Sequence, residues 1–164
     1  MLLWNNPYIM ENLKSSTLKE LEKAQKEGRT PIIVDTKGGE LDIAIELAQM
    51  CSTPVLVRRA ISAGGVFALL IKSELRFCEK GGFLLLHEPV ASKTLLSEKE
   101  AEIIVDKKIE LVKELQKVNP QIPFEQFSKW LKKGICFADT GLAEKFFFRM
   151  ENEIPPPIVF NAGM

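Results

Sequence analysis

The chain has 164 residues, 46% hydrophobic and 27% charged, which is length and apolar content enough for one domain with a sizeable core. Its 22 basic and 22 acidic side chains cancel and neither sign forms a long block, so nucleic acid is not an expected partner. No run of about eighteen apolar residues occurs, and the opening Met1-Leu2-Leu3-Trp4-Asn5-Asn6 turns polar too soon for a signal peptide. A cytoplasmic location is therefore expected, with membrane association left open if the chain is a piece of a longer protein. Cys51, Cys78 and Cys136 lack both the paired spacing of a zinc site and the even count of a disulfide framework. They are expected to be reduced core residues, and no metal or cofactor is expected.

In chain order, Thr17-Leu18-Lys19-Glu20 has capping-box spacing, Leu18, Leu21 and Ala24 share a face, and Gly28 supplies a stop, so the first clear element is an amphipathic helix. Pro31-Ile32-Ile33-Val34 reads as a buried strand. Leu41, Ala44, Ile45 and Ala48 mark a helix ending at Ser52-Thr53-Pro54, and Val55-Leu56-Val57 is the next strand. A buried helix runs from Ala63 to about Lys72, followed by the strands Leu75–Cys78 and Phe83–Leu86 around a Gly81-Gly82 turn. Short strands alternating with helices predict parallel pairing and an α/β fold, and their continuous apolar character predicts cover on both faces of the sheet.

The second half differs. Ser97 and Glu100 form a capping box for a helix of roughly twenty residues carrying Ile104, Leu111, Leu115 and Val118. A shorter helix over Phe124–Lys133 stops at Gly134, then come a strand Ile135–Phe137 and a last helix opened by Asp139 or Thr140. One domain is expected over residues 1–150, with 151–164 an extended tail around Pro155-Pro156-Pro157.

Ser62 stands where an apolar strand meets an apolar helix, which puts its hydroxyl among outward-pointing N–H groups that favour negative charge. Serine is also a common N-cap, and that structural role stays open. The small residues Ala63-Gly64-Gly65 after it let another backbone approach closely, which a cap alone does not require. Ala60 replaces the first glycine of a G-x-S-x-G elbow, so that motif does not apply. His87, the one histidine, follows the apolar strand Phe83–Leu86 and is a rim residue or a general base for Ser62. Gly38-Gly39 precedes a helix after a buried strand, and an N–H there together with that of Ala63 would form an oxyanion hole. The set points to a serine hydrolase, with Gly38 and Gly64 beside the substrate.

Thr36-Lys37-Gly38-Gly39, Ala60-Ile61-Ser62-Ala63-Gly64 and His87-Glu88-Pro89 resemble the proteolytic subunit of Clp protease and the related serine dehydrogenase-proteinases, including the interval of 25 residues from serine to histidine. The resemblance covers roughly residues 10 to 148. It implies the Clp/crotonase superhelix of β-β-α units, with Ser62 as nucleophile, His87 as base, and Gly39 and Ala63 as oxyanion donors. It further implies that the helix from Ser97 to Val118 is the protruding handle by which rings stack. Peptide or unfolded protein would be cut inside a homo-oligomeric chamber, with an ATPase as a further partner.

Two positions depart from the family pattern. Lys37 replaces a proline, which backbone donors tolerate. Gly134 aligns with the aspartate that completes the triad, and Asp139 is the nearest carboxylate in sequence to replace it. The alternatives are a Ser-His dyad, activation by a neighbouring subunit, or a weak or inactive ring subunit. A Ser-Lys pair drawing on Lys37, Lys72, Lys80 or Lys93 would need a buried lysine, and solvated lysines are expected at all four. A crotonase-type acyl-CoA enzyme is the remaining alternative.

Overall fold

The computed structural model describes residues 4–89 and 97–156. Among them, six strands and six helices form a mixed α/β fold: β1 (Tyr8–Met10), α1 (Ser15–Lys26), β2 (Ile32–Thr36), α2 (Leu41–Met50), β3 (Val55–Ile61), α3 (Ala63–Leu70), β4 (Arg76–Leu86), α4 (Glu98–Val118), α5 (Phe124–Lys133), β5 (Ile135–Ala138), α6 (Asp139–Phe146) and β6 (Arg149–Met150). Strands β1 to β4 pair in parallel in chain order, β5 lies antiparallel on β4, and β6 pairs in parallel with the start of β4.

Strand periodicity divides the core in two. Ile32, Val34, Val55 and Val57 face the main core, which the helices close with Leu47, Phe67, Leu115, Phe127 and Phe146. The alternate residues Ile33, Leu56 and Phe77 face the other side, where Ile154 and Trp4 cover them. After β6 the chain makes a 3-10 turn at Glu151–Glu153, and the buried Ile154 packs against this side of the sheet. Pro155 and Pro156 lie outside any helix or strand, and the rest of the expected tail, 157–164, falls outside the described residues.

Several expectations change in detail. α1 starts at Ser15, because Thr17 is its third helical residue and not its cap: the Thr17 hydroxyl accepts from Lys14 N–H (3.2 Å) and donates to Asn12 C=O (2.6 Å). The strands expected at Leu75–Cys78 and Phe83–Leu86 are one strand. Its register against β3 jumps from Val57–Cys78 to Arg59–Phe83, so residues 79–82 bulge opposite Arg58, which pairs with Glu79 at 2.9 Å. Cys51 and Cys78 are buried, but Cys136 is exposed on β5, which has β4 on only one side. No helix among the described residues is long and apolar enough to cross a membrane.

The register sets up the site. Thr36 pairs with Ala60 and Ala60 with Leu84, while Ile61 pairs with Leu85. The segments carrying Gly38, Ser62 and His87 therefore leave the sheet from the carboxyl ends of three neighbouring strands, where open α/β sheets place their ligand crevices.

Candidate active site

Ser62 joins β3 to α3 with φ 59° and ψ −117°, a left-handed conformation that an L-residue holds only under constraint. Two hydrogen bonds hold it: its N–H donates to Leu85 C=O (3.0 Å), and its C=O accepts from Val66 N–H (3.1 Å). A capping serine would be extended and would take an N–H of the first turn on its hydroxyl. Ser62 does neither, and its Oγ makes no hydrogen bond among the described residues. Ser62 is half-exposed and borders a cavity of about 240 Å³.

Gly39, Ser62, Ala63, His87, Glu88 and Pro89 border that cavity, with Leu41 from α2, Val66 from α3 and Leu111 from α4 as its apolar walls. Four of the residues singled out in the sequence thus share one pocket. Ala63 is the first residue of α3 and precedes the first intrahelical bond, so its N–H has no helical acceptor. Gly39 N–H also makes no hydrogen bond among the described residues. Two main-chain donors without a partner on one cavity beside a strained serine make a site for an anion or an oxyanion.

The backbone at Gly39 demands glycine: φ is +155°, and a side-chain carbon there would collide with the main chain of Leu13, whose C=O accepts from Glu40 N–H at 2.8 Å. Gly38 and Gly64 do not border the cavity. A side-chain carbon at Gly38 would stand 3.3 Å from Ser62 Cβ, and one at Gly64 would overlap the Thr36 methyl. They let the two turns come together.

His87 is half-buried, and its Nδ1 lies 2.8 Å from Glu88 C=O. A carbonyl can only accept, so Nδ1 carries a proton, and in the neutral ring Nε2 is then the nitrogen with the lone pair. The Glu88 backbone is itself held, its N–H donating to Leu131 C=O on α5 at 2.9 Å. The Glu88 carboxylate is not a free solvent-facing group: it pairs with Lys108 of α4 at 3.0 Å. No hydrogen bond joins Ser62 to His87 among the described residues.

The third position of a triad holds no carboxylate. Gly134 stands beside His87, since a side-chain carbon there would lie 4.0 Å from its Cβ. Asp139 is not brought to His87. The antiparallel register sets Leu86 against Ile135 and Phe83 against Ala138, which puts Asp139 about 17 Å farther along the ladder. There its Oδ2 accepts from Gly81 N–H (2.9 Å) and its Oδ1 from Thr140 N–H (2.7 Å). These hydrogen bonds, Gly81 first, hold its carboxyl below the usual carboxylate range. It pins the β4 bulge to the start of α6. Of the candidate lysines, Lys37, Lys72 and Lys80 are exposed, and Lys93 falls outside the described residues.

The walls Leu41, Val66 and Leu111 were visible in the sequence only as helix-face residues, because periodicity reports that a face is buried and not against what. Thr36 was legible as part of a motif, without a role. No protein-family model matches the chain, and no curated protein matches it.

Proposed function

We propose that this protein is a serine hydrolase that cleaves peptide bonds through an acyl-enzyme, on a Clp/crotonase-type framework of β-β-α units. Ser62 Oγ attacks the carbonyl while His87 Nε2 takes its proton and passes it to the leaving amine. Gly39 and Ala63 N–H groups hold the oxyanion, each worth about 3 kcal/mol of transition-state stabilisation. Water then repeats the sequence on the ester, and no cofactor is needed. The reading is carried by one observation: a serine in a strained conformation shares a cavity with a Nδ1-protonated imidazole and two unpartnered backbone N–H groups. The walls Leu41, Val66 and Leu111 suit an aliphatic side chain next to the scissile bond.

Glu88 C=O takes the place of the triad aspartate in this reading. It fixes the tautomer but brings no full negative charge to an imidazolium, and loss of that charge costs up to about 10⁴-fold in turnover. A slow Ser-His dyad is therefore expected. A second reading, an inactive ring subunit, is favoured by the absence of a Ser62–His87 hydrogen bond and of a carboxylate hydrogen-bonded to His87 among the described residues. Labelling by a fluorophosphonate probe decides between them. Hydrolase function predicts an adduct on Ser62 by peptide mass spectrometry, lost in Ser62→Ala. A wild-type protein that stays unlabelled, in whatever assembly it forms, returns the inactive reading.

A further inference from the structure

Thr36 touches both turns of the site. It ends β2 with 1% of its surface exposed, level with Ala60 on β3. Its Oγ1 accepts from Gly38 N–H and donates to Gly38 C=O, both at 3.0 Å. Its methyl occupies the volume that a side chain on Gly64 would need, so the first turn of α3 rests directly on it.

The first contact sets the direction of the Gly39 N–H. The Gly38–Gly39 peptide is trans, so its N–H points opposite to its C=O. With that C=O turned to Thr36, the N–H turns away from Thr36, and Gly39 borders the cavity. Two successive glycines impose little steric preference of their own on this peptide plane. The hydroxyl of Thr36 constrains the Gly38 side of this peptide, and the parallel bridge of Gly39 to Leu13, with Glu40 N–H on Leu13 C=O at 2.8 Å, holds the other side. The Thr36 methyl packs against the bare α-carbon of Gly64.

We propose that Thr36 is a positioning residue that aligns the Gly39 backbone donor through its hydroxyl. The proposal rests on the hydrolase reading and is separable from it by experiment. Thr36→Val keeps the methyl and the volume and removes the clamp, whereas Thr36→Ser keeps the hydroxyl.

In Thr36→Val, kcat on an activated ester and the rate of fluorophosphonate labelling fall together by about 10- to 100-fold, with KM and melting temperature close to wild type. Thr36→Ser retains most of the labelling rate. Backbone amide NMR gives a readout independent of activity: Gly38 and Gly39 shift and exchange faster in Thr36→Val and stay near wild type in Thr36→Ser. Equal rates in Thr36→Val and wild type, or an equal fall in both variants, overturn the proposal. If the wild type is never labelled, the hydrolase reading fails by itself. The amides then judge the clamp, and unchanged Gly38 and Gly39 signals in Thr36→Val overturn it.

Discussion

A conformation such as that of Ser62 costs an L-residue about 1–3 kcal/mol and persists only where its surroundings over-determine it. Here the surroundings are Leu85 C=O, Val66 N–H and the bare α-carbon of Gly38. The strain lifts the hydroxyl out of the capping geometry in which it would be consumed by the helix. Asp139 is the opposite case, a carboxylate whose hydrogen bonds are all structural. Asp139→Asn is expected to leave fluorophosphonate labelling unchanged and to lower stability modestly at neutral pH. The folded state lowers the carboxyl below its ordinary 3.8, so the charged form's contribution is present above that value and is lost as pH falls through the folded one. Urea unfolding of both proteins across that range should show the wild-type advantage vanishing in acid.

At the scale of elements, α3 is short and buried from Ala63 through Leu69, and its orientation aims the site. Its carboxyl end is held by Arg76, which is 1% exposed and has no carboxylate among its hydrogen-bond partners. The guanidinium donates to Leu69 C=O (2.8 Å) and Ile71 C=O (3.0 Å), to Asn119 Oδ1 at the end of α4 (2.8 Å), and to Phe146 C=O at the end of α6 (3.0 Å). A cation at three helix carboxyl ends is matched by their dipoles and satisfies carbonyls that helices leave over. Burial lowers its pKa to about 10, so it remains charged at neutral pH. Arg76→Met strands several buried acceptors and should cost about 3 kcal/mol or more in urea unfolding. Arg76→Lys should recover only part of this, because a compact ammonium cannot span acceptors on three elements.

At the scale of the molecule, α4 is buried along Leu111, Val112 and Leu115, while Ile103, Val105 and Ile109 before them are exposed by 48%, 54% and 38%. Val105 and Ile109 lie one helical turn apart and share a face. Exposed apolar side chains on a long helix suit the ring stacking through this helix that the family resemblance implies, and we propose assembly through α4. The expectation is a wild-type sedimentation mass several times 18.5 kDa, moving toward that of the monomer in Val105→Lys/Ile109→Lys with the fold intact. A wild type that sediments as a monomer at tens of micromolar would overturn assembly through α4.

What the sequence determined alone is local. Ser97 and Glu100 fix the start of α4, Gly134 with its φ of +72° ends α5, and apolar runs delimit the parallel strands, because capping and periodicity act within a few residues. Ser62, Ala63, Gly39 and His87 were legible for the same reason, as small or polar residues interrupting apolar runs at strand ends. β1 and β6 were not, since strands of three and two residues take their hydrogen bonds from partners elsewhere in the chain. Only the tertiary structure decided that Asp139 is remote from the imidazole, that His87 Nδ1 meets Glu88 C=O, and that Thr36 ties Gly38 to α3. Each depends on strand register and helix placement, which join residues far apart in sequence and are settled by the packing of the whole sheet rather than by any short stretch of it.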